Sequence, residues 1–301
     1  MQTDIIIKLF EVVFPVFFII GLGYFFGKKN PNFDSNIITS FAGTIGVPCL
    51  LFYSLTLNHL DFDIFLKFAG ITLICIGLFA IMGMVVLGLL KRNIFRELPP
   101  ILLPNTGNMG FAFCLFAYGQ KGFAIASVSV AVVSILHFTL NIFLAKGKFT
   151  FEPLLKSIPL YAIFIAAIFL YFNIPVPKFV SNTTMLIAYT TIVLVLSSLG
   201  MALSTLKTVS ISKTLIISFT RLLGGPVIGF AVIKFFGLTG YQAGALFIQC
   251  SMPAAVLTYL LAKMYSSKEH ADNIASVIAA STTISVITIP IIIFIALTYF
   301  N

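Results

Sequence analysis

Apolar residues in this chain come in long uninterrupted stretches, parted by short polar punctuation instead of the alternation or one-sided stripe of a soluble domain. A helix needs about 20 mostly apolar residues to cross the hydrocarbon of a bilayer. Laid along the sequence, that length predicts ten spans, at 4–27, 34–57, 64–90, 97–118, 122–145, 157–173, 179–205, 212–236, 241–264 and 271–299. The longest polar connection, around Lys146 to Lys156, parts five spans from five, and no connection is long enough for a soluble domain. The first stretch contains Asp4, Lys8 and Glu11 and runs to about Gly27 without a small-residue cleavage site, so it reads as a span and not as a removable leader. The expected fold class is an all-α polytopic membrane protein, one unit over 1–301 with repeats at 1–146 and 156–301.

Two spans are broken. Pro104-Asn105-Thr106-Gly107-Asn108-Met109-Gly110 interrupts the fourth, and Gln249-Cys250-Ser251-Met252-Pro253 interrupts the ninth. Hydrocarbon tolerates unwound backbone only where protein or an aqueous cavity covers it, and paired breaks in two halves point to the substrate site of a secondary transporter. A half-helix beginning near Gly107 exposes free N–H groups, and its positive dipole end suits a carboxylate. Asn105, Thr106 and Asn108 add donors at that depth, and Gln249 and Ser251 do so from the other break. The competing reading is a pair of proline kinks whose polar side chains satisfy freed carbonyls, with Thr106 and Ser251 as capping groups.

An odd number of spans per half makes the second half enter from the opposite side, so any likeness between halves implies an inverted repeat. Tyr118-Gly-Gln-Lys121 followed by Ile125-Ala126-Ser127 resembles Tyr265-Ser-Ser-Lys268 followed by Ile274-Ala275-Ser276, each directly after a broken span.

Arg221 is the basic residue deep in a span, and it has two readings: attraction of an anion, or a clamp on carbonyls exposed by a broken helix. His137, midway along the fifth span, can carry a coupling proton or serve as a hydrogen-bonded structural residue. Pro48 kinks the second span and could bring Tyr53 or Ser54 to a cavity wall. The run Ser197-Ser198-Leu199-Gly200-Met201-Ala202 suits close helix approach. The nine acids lie at or near span ends, with Glu11 expected near the outer interface, so no carboxylate sits at the membrane centre where cation sites and proton relays place one. That favours an anionic or neutral substrate, and leaves sodium only carbonyls and neutral side chains.

Composition agrees with this picture. The chain is 59% hydrophobic and 9% charged, with a mean hydropathy of +1.10, against about 25% charged in a soluble domain. With 33 Phe and no Trp, any interfacial aromatic belt falls to Tyr and Phe. The net charge of +9 is scattered through short loops and carries no nucleic-acid signature. Twelve basic residues fall in connections opposite the N-terminus and five on the N-terminal side, which predicts odd-numbered connections in the cytoplasm and both termini outside a cytoplasmic membrane. Cys49, Cys75, Cys114 and Cys250 lie in apolar segments and read as small buried hydrophobes, not as a metal or disulfide set. No cofactor or metal is expected.

On these residues the chain resembles the auxin efflux carrier family of permeases. The resemblance extends over essentially the whole chain and rests on Val47-Pro48 with its Leu/Phe run, Pro104-Asn105-Thr106 then Met109-Gly110, and Leu199-Gly200-Met201-Ala202. It continues in Arg221 with Gly225-Pro226, and in Met252-Pro253 followed by Ala262-Lys263 and Tyr265. The resemblance implies a fold like the bile acid:sodium symporters, with spans one, two, six and seven as scaffold and three to five and eight to ten as transport part. It further implies crossing at Pro104 and Pro253, Asn105 as a substrate-site residue, and elevator-like alternating access. The short connection after span five departs from the plant members' long loop, and prokaryotic relatives are associated with dicarboxylates such as malate and malonate. Ala254 stands where the plant motif has a polar residue, which puts substrate contacts from span nine in question. Plant relatives resemble dimers, so a homodimer is admitted though no residue here requires it. The expected function is transport of small organic anions across the lipid bilayer. The competing readings are a sodium-coupled symporter, a channel or sensor component, and an intramembrane enzyme, for which no clustered acids, histidines or metal-phosphate motif are present.

Overall fold

The computed structural model describes residues 2–34, 36–56, 60–205 and 211–300. His59 and Lys207 lie outside the described residues. Helices follow one another as α1 (Gln2–Lys29), α2 (36–56), α3 (Phe62–Leu89), the short α4 (Ile94–Glu97) and α5 (Pro99–Leu102), α6 (106–118), α7 (120–146), α8 (Glu152–Leu155), α9 (Ile158–Tyr171), α10 (Lys178–Thr205), α11 (Ile211–Phe236), α12 (Gly240–Cys250), α13 (Val256–Tyr265) and α14 (Lys268–Tyr299). Seven helical stretches among the described residues are long and apolar enough to cross a membrane, and Ile158–Tyr171 and Val256–Tyr265 are shorter apolar helices.

One of those seven, Thr106–Lys146, is 41 residues long. At 1.5 Å per residue it would reach about 60 Å, twice the thickness of a bilayer core. It does not run straight. Gly119 has φ 61° and ψ −152°, a conformation essentially confined to glycine. Phe111 and Phe123 bring their ring centroids within 5.1 Å of each other, where a continuous helix would hold them about 18 Å apart. The chain therefore doubles back at Gly119, and α6 and α7 form a hairpin.

Apolar side chains divide between lipid and core. Phe10, Phe14, Phe18 and Phe25 stand exposed along α1. A stripe of that size would be an aggregation surface in water and is ordinary against hydrocarbon. On its other side α1 meets α10 backbone to backbone. A Cβ on Gly23 would lie 2.1 Å from the Ser197 carbonyl oxygen, and one on Gly200 2.0 Å from that of Ile20. This is the close approach expected of the 197–202 run, and it needs small residues because hydrocarbon offers helices no hydrophobic drive to associate.

Where α4 and α5 meet the long helices, Asn93 caps the amide of Arg96 and Arg92 pairs with Glu97. Pro99 and Pro100 open α5, positions where the missing N–H costs nothing. The same end of α14 is tied in by His270, 3.0 Å from Arg96.

Candidate functional site

Helix α5 ends at Leu103, which turns extended, and α6 starts at Thr106. Helix α12 ends at Cys250, and α13 starts at Val256 after an extended Ala255. Each break frees amides and carbonyls in the membrane interior, and each supplies the other's partners. The Asn105 amide donates to the Pro253 carbonyl at 2.8 Å, and the Ala255 amide to the Leu103 carbonyl at 3.1 Å. Pro104 and Ala254 thus form an isolated antiparallel bridge. Proline has no amide to give, so the flanking residues carry the ladder. The Ala254 amide reaches the Ser281 hydroxyl of α14 at 3.4 Å.

Remaining carbonyls fall to Arg221 of α11, which is fully buried. Its Nε donates to Met252 O at 3.0 Å, its Nη1 to Ile101 O at 3.1 Å, and its Nη2 to Cys250 O. The guanidinium carbon also lies 4.1 Å from the centroid of the Phe79 ring. One side chain therefore grips both breaks. Of the two readings of Arg221, the geometry is that of the carbonyl clamp, and Arg221 does not line the cavity described next.

That cavity, of about 120 Å³, lies beside the bridge. Pro104, Asn105, Thr106, Gly107 and Asn108 line it from the first break, and Ala255, Val256 and Leu257 from the second. Val47 and Leu50 of α2 and Val130, Ser134 and His137 of α7 complete the wall. Two helix N-termini, those of α6 and α13, therefore open on one space; the Thr106 and Thr258 amides bond back to the Pro104 and Ala255 carbonyls, and the other first-turn amides have no carbonyl of their own helix to meet. Asn105 is buried, and its Nδ2 has no protein partner. His137 is buried, with Nδ1 3.3 Å from the Asn141 amide nitrogen. Among the described residues, no carboxylate and no ammonium group lines this cavity.

The expected site residues separate into three groups. Asn105, Thr106, Gly107, Asn108, Pro104 and His137 share the cavity. Gln249 lies on the far side of the bridge, in a small void with Thr106, Thr72, Ser129 and Cys250. It is buried with neither end of its amide paired, and a Cβ on Gly110 would lie 2.2 Å from its Oε1. Ser251 folds back on the Phe247 carbonyl at 2.7 Å, and Pro253 contributes its carbonyl to the bridge. Tyr53 does not line the cavity; it is buried against Tyr189 of α10, ring centroids 6.2 Å apart. Ser54 bonds to the Leu51 carbonyl.

Ser134 and the Val256–Leu257 pair went unnoticed in the sequence. Ser134 had a signal, since it sits three residues before His137 and shares its helix face. The amides of Val256 and Leu257 had one as well, because a helix restarting after Pro253 must expose its first turn.

Comparison with known proteins gives two results. A family model described as membrane transport protein matches the chain twice, over residues 8–150 and 149–293. An uncharacterised transporter of Methanocaldococcus jannaschii is 25% identical over 299 residues, spanning 93% of this chain and 96% of that one.

Proposed function

The chain belongs to the auxin efflux carriers, the family of membrane transport proteins matched over both its halves, and on that premise we propose that it carries small organic anions, carboxylates of the malate or malonate class, across a cytoplasmic membrane. The observation that carries this reading is the cavity beside the Pro104–Ala254 bridge. It joins two helix N-termini to the buried, unpaired amide nitrogen of Asn105. A helix N-terminus stabilises an anion by about 0.3–1 kcal/mol when exposed and up to about 2 kcal/mol in partly buried geometry. A hydrogen bond to a charged group adds about 1.5–3 kcal/mol. Size argues in the same direction. Drug-sized ligands occupy pockets of about 300–1,000 Å³, so a cavity of about 120 Å³ suits a few-carbon acid better than a ring system such as auxin.

In the same proposal ten spans form two inverted five-helix repeats, 1–146 and 156–301, crossing at Pro104 and Pro253 in the manner of the bile acid:sodium symporters. Helices α3 to α7 and α11 to α14 are the transport part, which slides past a scaffold of α1, α2, α9 and α10. Both termini lie outside the cell. Arg221 supports this division, because its three carbonyl partners bind α5, α11 and the second break into one body. Proteoliposome uptake across a panel of mono- and dicarboxylates tests the function. Saturable, counterflow-competent flux of at least one acid is expected; flux without saturation would mean a channel, and none at all would remove the reading.

A further inference from the structure

The Asn105 cavity is walled in part by Val47, Ser134 and Leu257, and these same residues form one end of a larger space of about 380 Å³. Its other end is the segment joining α7 to α9, where Pro153, Lys156 and Ser157 line it. Among the described residues, Lys156 is the one charged residue lining either space. Its Nζ bonds Glu152 Oε1 at 2.7 Å, one turn away on α8, and both side chains are largely exposed, at 75% and 71%. Their mutual hydrogen bond holds Glu152 below its ordinary range and Lys156 above its own, so both stay ionised at neutral pH. Lys146, at the end of α7, stands nearby over the Tyr265 ring, 5.6 Å from its centroid.

We propose that Lys156 is the anion-capture residue at the mouth of the vestibule leading to the Asn105 cavity, with Glu152 as the resident carboxylate that an arriving substrate carboxylate displaces. This rests on the carboxylate reading and adds an entry site to it. The cavity itself is neutral, so attraction over distance must come from its approach. A fixed cation beside a low-dielectric funnel raises local anion concentration and on-rate. An exposed ion pair is weakly held, so exchange of Glu152 for substrate costs little. A dianion is drawn more strongly than a monoanion, which makes Lys156 a selectivity element as well.

The test uses the full chain in proteoliposomes, with malonate and acetate as probes at about 0.01 M and about 1 M ionic strength, where the Debye length is about 30 Å and about 3 Å. Lys156→Gln is expected to raise the KM for malonate about three- to tenfold at low salt with kcat unchanged, the share of a single charge at and below the lower end of the roughly 10- to 1,000-fold range of electrostatic steering. The shift should be smaller for acetate, vanish at high salt and be reversed by Lys156→Arg. Glu152→Gln should lower the malonate KM at low salt. An unchanged KM in Lys156→Gln, or a shift that persists at high salt, overturns the capture role while leaving the Asn105 site standing. Absence of flux of both probes and of every other acid in the panel sinks the carboxylate reading and the entry site with it.

Discussion

Asn105 carries an amide nitrogen into the cavity that no protein atom meets, while its backbone amide holds the bridge to Pro253. Asn105→Ala should therefore spare the fold and remove one donor to a charged ligand. At about 1.5–3 kcal/mol, kcat/KM for the transported acid should fall roughly 10- to 150-fold at an unchanged size-exclusion profile. Arg221 is the opposite case. Arg221→Met would orphan three buried carbonyls at about 1–3 kcal/mol each, so little folded, monodisperse protein should be recovered, with Arg221→Lys intermediate. Asparagine beside an intramembrane proline was legible as a donor at the break because both depth and donor follow from sequence, and the structure places it in the wall of a cavity. Gln249 and Tyr53, whose depth was read in the same way, do not line that cavity. What a linear sequence omits is the rotation of each helix about its axis, which turns Gln249 to Gly110 and Tyr53 to Tyr189.

Helices show the same division between local and distant information. Prolines mark both breaks, and the long apolar runs mark the membrane helices, because length and φ restriction are local properties. The partners of the freed backbone are a long-range matter: nothing local to Leu103 announces Ala255. Wide π-helical turns at Ala42–Gly46, Thr106–Gly110 and His137–Asn141 also lack a local mark. Two of them present residues to the cavity, Thr106 to Asn108 and His137. The hairpin between α6 and α7 turns on Gly119, whose dihedrals other residues reach only at about 1–3 kcal/mol. Gly119→Val should accordingly lower the midpoint of thermal unfolding in detergent, and a midpoint equal to that of the unmodified chain would show that the turn tolerates a side chain.

For the whole molecule, α7 sets the scale, because 27 residues at 1.5 Å each separate its ends by about 40 Å. Toward the Lys146 end lies the larger space lined by Ser134 and Lys156; at the other, Gln120 Nε2 donates to the Tyr189 hydroxyl at 2.5 Å, beside Tyr53. Tyr53 thus packs beside a contact between the hairpin tip and α10. Under the proposed alternating access, removing that hydrogen bond, at about 0.5–1.5 kcal/mol, should shift the inward-to-outward balance roughly two- to twelvefold. A cysteine placed at Ser134 reports it: an impermeant thiol reagent applied on the Lys146 side should label it more slowly once Gln120→Ala is added, and an unchanged rate would deny that contact any part in gating. The bridge between Pro104 and Ala254 has a consequence for descent and for engineering. Its two hydrogen bonds join main-chain atoms alone, so exchange of the cavity's apolar side chains leaves them in place. Val47 and Val130, which wall the proposed site, can then be exchanged to reshape it while the frame that presents it is kept, and single steps should suffice to alter the preferred cargo.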